Sequence, residues 1–178
     1  LAGGGRVVGS VTNRGRVAPT AKLTIEGDFS QGPTGVLAVG DTTAGTLEID
    51  KGYFQATTDS ALTPIIGKSA AGTVTVRGDD STYDSYGDLD LDKSLIVGNG
   101  ASGRLKVERG GWVDVREDLI GSGYDANPSG EVIVDGQGGD GVLSVAGDTF
   151  VNATELQGVV VQNGGRVSTD SLFIGHRQ

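Results

Sequence analysis

Apolar and polar residues alternate in short runs along this chain, and the runs recur at a nearly fixed distance. Five apolar-x-apolar steps, each led by a glycine or another small residue, begin at Leu47, Val74, Leu105, Val132 and Val159. Successive steps lie 27, 31, 27 and 27 residues apart. Self-similarity at a period of this size is typical of solenoids, in which each repeat buries its apolar face only against neighbouring repeats.

The period predicts one domain, a single solenoid segment over residues 1–178. The approximate repeats are 47–73, 74–104, 105–131, 132–158 and 159–178, preceded by irregular N-terminal coils over 1–46. Extra residues fall in 78–87 and 122–129, which are rich in Gly, Asp, Asn and Ser. Turn chemistry of this kind indicates surface loops, so the loops vary in length while the coil keeps its cross-section.

Each repeat is predicted to contain three short strands, as the repeat that starts at Leu105 illustrates. Its strands are predicted over Gly103–Val107, Trp112–Val115 and Asp118–Gly121. Period-two alternation puts one set of side chains inside, namely Leu105, Val107, Val113 and Val115, and the other outside, namely Arg104, Lys106, Trp112 and Asp114. No window carries a helical apolar stripe, and 32 glycines disfavour helices. The fold class is therefore all-β, a right-handed parallel β-helix solenoid with three short strands per coil of roughly 27 residues.

A second ladder follows the first, and it marks the third strand of each coil. A β-branched residue precedes glycine at Val39, Ile66, Val97, Ile120 and Ile174. The first three fall eight residues before the next apolar step, whereas Ile120 falls 12 residues before it. We expect these residues to stack on one another from coil to coil.

Composition narrows the class of partner. The formal net charge is −9 and the sequence pI is about 4.4, a field that repels nucleic-acid phosphates. Cysteine is absent, which excludes disulfides, and no apolar stretch approaches the length of a membrane-spanning helix. Since methionine is also absent and the chain stops just after Ile174, we expect a piece of a longer solenoid. No cofactor, no nucleic acid and no membrane insertion by this segment are expected.

Several runs of the sequence resemble a known family. Residues 94–115, from Ser94 through Gly110-Gly111 to Val115, resemble the PEP-CTERM-associated repeat of autotransporter (type V secretion) passengers, and 159–175 is similar to another copy. Residues 9–19 followed by 23–29 are similar to a second passenger repeat. The resemblance covers nearly the whole chain and implies a protein exported from a Gram-negative bacterium and displayed at the outer membrane, on the cell surface.

The family resemblance also implies a role. Passengers of this type are mostly adhesins, self-association factors or stalks for an effector domain, and a minority are enzymes. We therefore predict a non-enzymatic scaffold for adhesion or self-association. Its partner would be a host-cell or bacterial surface protein or glycan, or the protein itself, in an oligomeric state that the sequence does not define. A pure spacer stalk remains an alternative.

Catalytic chemistry is the other alternative, as a carbohydrate-active β-helix lyase or hydrolase. His176 is the only histidine and lies two residues from the end, which disfavours a Ser-His-Asp arrangement or a histidine-ligated metal. A glycosidase needs only two carboxylates at a controlled separation, and this chain has 23 acidic residues. Abundance alone singles out no pair, so no catalytic residue is assigned.

The acidic stretch Asp79–Asp92 is the sharpest polar feature. A calcium site there is possible chemically, but the spacing matches neither an EF-hand loop nor the Gly-Gly-x-Gly-x-Asp repeat, so no metal site is predicted. Alternation within 88–92 predicts that Leu89 and Leu91 face inward and that the intervening aspartates face water.

Exposed aromatic residues provide the remaining candidates for binding. Trp112 alternates with Val113 and should project outward, and three tyrosines lie in the two inserted loops. Large rigid rings beside acidic groups contribute contact area at low entropic cost, in a protein-binding or a sugar-binding site. Covering of neighbouring apolar corners would explain them equally well. The candidate binding residues are Tyr83, Asp84, Tyr86, Trp112 and Tyr124.

Overall fold

The fold is known from a computed structural model, which describes residues 1–32, 34–56, 63–78, 87–121, 130–151 and 158–174. No helix occurs in these ranges. The strands are, in chain order, β1 (Ala2–Val8), β2 (Val11–Asn13), β3 (Arg16–Glu26), β4 (Phe29–Gln31), β5 (Val36–Val39), β6 (Gly45–Asp50), β7 (Gly52–Ala56), β8 (Ile65–Ile66), β9 (Gly72–Arg77), β10 (Gly87–Leu91), β11 (Leu95–Val97), β12 (Gly103–Glu108), β13 (Trp112–Val115), β14 (Leu119–Gly121), β15 (Gly130–Asp135), β16 (Val142–Val145), β17 (Asp148–Val151), β18 (Val159–Gln162), β19 (Arg166–Ser168) and β20 (Ser171–Ile174).

Every strand pairs in parallel with the strand that occupies its position one coil away. The first sheet has the order β18-β15-β12-β9-β6-β3, with β1 also paired to β3. The second sheet runs β19-β16-β13-β10-β7-β4-β2, and the third runs β20-β17-β14-β11-β8-β5. The predicted β-solenoid is confirmed, with three strands to each of five successive coils from β6 to β20.

The long strand β3 joins two of the sheets at the N-terminal end. Its first residues pair with β5, with Arg16 opposite Val36, and its last residues pair with β6, with Leu23 opposite Leu47. The first and third sheets are therefore continuous through β3.

The core is a column of aliphatic side chains between the three sheets. The predicted alternation is confirmed in the coil of β12 and β13, where Leu105, Val107, Val113 and Val115 are all buried. Each inward residue stacks on its equivalent in the next coil, as Leu47, Val74 and Leu105 do. Burying one such side chain contributes about 1.5–3 kcal/mol, so the repeated ladder is the main source of stability.

Glycine begins four consecutive strands of the first sheet at the same register position. These residues are Gly45, Gly72, Gly103 and Gly130. A Cβ on Gly103 would lie 2.3 Å from the backbone nitrogen of Gly98 and from the carbonyl oxygen of Ile66. At Gly45, Gly72 and Gly103, the glycine that leads the apolar step is therefore required by close approach of neighbouring backbone atoms.

The third-strand ladder differs from expectation at one position. Val39, Ile66 and Val97 stack in register as predicted, but Gly121 takes the next place and Ile120 pairs with Ile96. Because Leu119 is the buried partner of Leu95, the alternation turns Ile120 outward. The β-branched residue before glycine was therefore the wrong marker in this coil.

Candidate binding face on the second sheet

The outer surface of the second sheet presents two columns of side chains, fixed by strand register. The first column, called here the Trp112 column, contains in axial order Tyr53, Asp88, Trp112, Val142 and Arg166. The second, called the Asp90 column, contains Gln55, Asp90, Asp114, Ser144 and Ser168. Successive members of a column lie about 4.8 Å apart along the solenoid axis, the spacing of neighbouring strands.

Alternation within each strand positions these side chains. Leu89 and Leu91 are buried, as predicted. Because successive residues of β10 point to opposite faces of the sheet, Asp88 and Asp90 lie on the outer face. The expectation that these aspartates face water is wrong for Asp90, which is only 6% exposed. Neighbouring side chains from the coils on either side cover it.

Asp90 is held by partners from both neighbouring coils. The hydroxyl of Tyr53 donates to its Oδ2 at 2.7 Å, and the Arg116 guanidinium donates to the same oxygen at 2.7 Å. Arg116 also lies 3.0 Å from Asp92. Burial, together with the hydrogen bond to Asp90, raises the pKa of Tyr53 above its ordinary value, so this phenol remains a donor.

Asp88, two residues earlier on the same strand, lies in a different electrostatic environment. Burial of this carboxyl, with the charges of Asp114 and Asp90 on the same face, raises its pKa to about 6. Among the described residues, the buried Oδ1 atoms of Asp88 and Asp90 have no hydrogen-bond partner. The face therefore holds an excess of acceptors and suits a ligand that brings hydrogen-bond donors or positive charge.

Trp112 is the one predicted binding residue that the structure places on this face. Its side chain projects outward as expected and is 42% exposed, between Asp88 and Val142 in the column. The other predicted residues, Tyr83, Asp84, Tyr86 and Tyr124, lie outside the described residues, as does Asp79–Asp80.

Sequence reasoning missed Tyr53, Asp114 and Arg116 as neighbours of Asp90. A signal was present, because residues one coil apart in sequence stack in space: Asp90 and Arg116 are separated by 26 residues. Adding the repeat length of 27 residues to Asp90 reaches Glu117, one position beyond its cation, so the repeat alone gives the neighbourhood and not the residue. It would not have found the burial of Asp90, which depends on the side chains that cover it.

The described residues contain no group of three or more histidine, cysteine, aspartate or glutamate residues that could hold a metal ion. Within the same ranges, no helix has the length and apolar character needed to cross a membrane.

Comparison of the chain with protein-family models, with curated proteins and with solved structures finds no match. The fold, the surface of the second sheet and the resemblance of the repeats are therefore the features that bear on function.

Proposed function

We propose that this chain is a segment of a surface-displayed autotransporter passenger and that it serves as an extended scaffold for adhesion or self-association. The observation that carries the proposal is the in-register stacking of five successive coils, from β6 to β20. Stacking of this kind generates long, flat columns of outward side chains at one fixed spacing. A surface of that form is suited to side-by-side contact with another extended molecule.

The sequence supports the surface location. Residues 94–115 and 159–175 resemble passenger repeats of exported proteins from Gram-negative bacteria. The absence of cysteine fits a chain that crosses membranes unfolded, and the net charge of −9 keeps an extended glycine-rich solenoid soluble. The partner is a surface protein or glycan, or a second copy of the same chain.

Light scattering over a range of protein concentration, with and without calcium, tests the scaffold proposal. We expect the weight-average mass to rise with concentration without calcium, since the described residues offer no metal site. A mass that rises only with calcium would instead assign the association to a calcium site. A strict monomer under both conditions would contradict self-association and favour a spacer stalk or adhesion to another partner.

A second candidate function, a carbohydrate-active enzyme, is favoured by one observation. The pKa of the Asp88 carboxyl is raised to about 6, and Asp114 of the next coil is its diagonal neighbour on the same outward face. A protonated Asp88 would donate its proton to the glycosidic oxygen as the bond from this oxygen to the anomeric carbon breaks and the leaving sugar departs as an alcohol, while Asp114 would accept a proton from the water that forms the new bond to the anomeric carbon.

Release of reducing ends from a panel of polysaccharides tests this candidate. An enzyme at this site would lose turnover in the Asp88→Asn variant and keep it in a Glu131→Gln control on the first sheet. No release by the wild-type protein, or equal release by the Asp88→Asn variant, would eliminate the site as a hydrolase.

A further inference from the structure

The side chains of the Trp112 column are ordered so that a second copy of the column, running in the opposite direction, would place complementary side chains opposite each other. Over four successive coils it contains an acid, an aromatic ring, an aliphatic side chain and a base: Asp88, Trp112, Val142 and Arg166. Asp88 and Arg166 lie three strand spacings apart, about 14 Å along the axis. The two apolar side chains occupy the middle.

A two-fold axis along the strand direction, midway between β13 and β16, reverses the order of the coils and leaves each column facing itself. Asp88 of one copy then faces Arg166 of the other, and Trp112 faces Val142. The same operation generates the second contact of each kind, so the interface is isologous and closed. We propose that two copies of this chain associate face to face through the second sheet, with their solenoid axes antiparallel and the Asp88–Arg166 pairs closing both ends.

The Asp90 column fits the same symmetry without further assumptions. Asp114 faces Ser144 of the second copy, and Ser168 of the second copy lies over the register position of the covered Asp90. Serine hydroxyls donate hydrogen bonds, so Ser144 of the second copy brings a donor to the carboxylate of Asp114. Asp90 stays covered by Tyr53 and Arg116 of its own chain and takes no part in the contact.

Charge explains why this face accepts a second copy despite the formal net charge of −9. Two uniformly acidic surfaces would repel each other, whereas this column places a cation opposite an anion at each end. The Arg166 side chain is 71% exposed, and its pair with Asp140 at 3.2 Å is exposed as well. Such exposed pairs contribute little, so Arg166 can exchange Asp140 for Asp88 of the second copy at small cost.

The interface is small, because only four coils and two columns are matched. Contacts of limited area belong to weak and transient association. The dimer should therefore form in the micromolar to millimolar range. Many weak contacts of this kind, repeated between displayed molecules on apposed surfaces, would still be effective through multivalency. The inference rests on the self-association branch of the proposed function and defines its surface.

Charge reversal in trans is the decisive experiment, with mass measured by sedimentation equilibrium at pH 7.5, where Asp88 is ionised. Asp88→Arg alone sets arginine against Arg166 at both ends, and Arg166→Asp alone sets aspartate against Asp88 at both ends. Each variant should associate at least about tenfold more weakly than wild type. An equimolar mixture of the two restores an attractive pair at each end and should recover the wild-type mass.

Matched controls lie on the first sheet, where Arg104 and Glu131 form an ion pair between neighbouring coils at 2.5 Å. Arg104→Asp and Glu131→Arg make the same charge changes there and should leave association unchanged. Circular dichroism checks the folding of every variant. If Asp88→Arg does not fold, Val142→Asp, which sets a carboxylate against Trp112 of the second copy, tests the centre of the interface instead, and it should weaken association.

The outcomes separate this interface from the broader proposal. Wild-type association that is insensitive to Arg166→Asp and to Val142→Asp would overturn the interface and leave self-association standing on another face. Failure of two folded charge-reversal variants to complement each other would overturn the interface as well. A wild-type protein that stays monomeric over the whole range would overturn both.

Discussion

The outer faces of the first and second sheets both carry buried carboxylates, but they neutralise them differently. Glu48 on the first sheet lies between two cations from neighbouring coils, with Lys22 at 2.6 Å and Arg77 at 2.7 Å, and it accepts a hydrogen bond from Thr24. Although burial opposes ionisation, hydrogen bonds from Lys22 and Thr24 and the charge of Arg77 hold the pKa of Glu48 below its ordinary value. Asp88 on the second sheet has a pKa raised to about 6.

The order of charged residues along the solenoid axis decides the electrostatics of each outer face. Around Glu48 on the first sheet, opposite charges come from successive coils, so this carboxylate is satisfied within the molecule. On the second sheet, Asp90 and Asp114 are direct register partners, and like charges opposite each other in a sheet are destabilising. Glu48 is therefore neutralised by its own neighbours, whereas Asp88 and its acidic neighbours on the second face are left with unfavourable electrostatics that a partner of opposite charge would relieve.

Truncation of a buried leucine behind each face should have the largest effect on stability, and it tests whether the two faces differ only in their outward side chains. Leu105 lies behind the first face and Leu89 behind the second, and both are fully buried in one continuous core. Leu105→Ala and Leu89→Ala should each lower the free energy of unfolding by about 2–5 kcal/mol, because both leave a cavity in the same column. Urea denaturation measures this.

The outward-facing substitutions Thr73→Ala and Gln55→Ala serve as controls and should be close to neutral. If Leu89→Ala lowers the free energy of unfolding much less than Leu105→Ala does, the core behind the second face is less tightly packed. The two faces would then differ in the interior as well as in their outward side chains.

A smaller effect is expected from hydroxyl groups that donate to the buried carboxylates. Tyr53→Phe removes one of the two donors to Asp90 and leaves a buried charge with Arg116 alone, which should cost about 1–3 kcal/mol. Thr24→Val removes the hydroxyl donor of Glu48, but Lys22 and Arg77 remain. Thermal or urea unfolding of the two variants should therefore show a larger loss for Tyr53→Phe, and equal losses would contradict the view that the second face is the less satisfied one.

The sequence predicts the interior of this molecule better than its surface. Period-two alternation correctly places Leu89 and Leu105 inside and Trp112 outside. Successive residues of a strand point to opposite faces of the sheet, so a residue's place in the alternation decides whether it is buried. The other sequence marker, a β-branched residue before glycine, fails at Ile120, because Leu119 takes the buried position in that strand. The loop candidates, such as Tyr83, lie outside the described residues and stay predictions.

The candidate face was only partly predictable, for a physical reason. Whether Asp90 is solvated depends on Tyr53 and Arg116, which are 37 and 26 residues away and come into contact only when the coils stack. Repeat length gives the approximate neighbour, but insertions such as 78–87 shift the count between coils. Register, not composition, was the missing information.

The pH dependence of the free energy of unfolding that arises from Asp88 is expected to be small. It bears directly on the electrostatic difference between the first and second faces. Because the pKa of this carboxyl is about 6 in the folded protein against an ordinary 3.8, the native state binds the proton more tightly than the unfolded state. Its contribution therefore destabilises the fold fully above about pH 6 and is relieved as pH falls toward about 4. Solvent exposure of the group reduces the expected size to about 1 kcal/mol.

Asp88→Asn should remove this cost, so the variant should be more stable than wild type at pH 7.5, and the difference should shrink toward zero near pH 4.5. Glu48→Gln is the matched control with the opposite sign, since a lowered pKa stabilises the fold above the ordinary value of 4.5 and is lost as pH falls. Urea titrations at both pH values, at protein concentrations too low for association, measure both variants. If Asp88→Asn instead destabilises the protein at pH 7.5, Asp88 is satisfied within the monomer, and the second face no longer needs a partner to complete it.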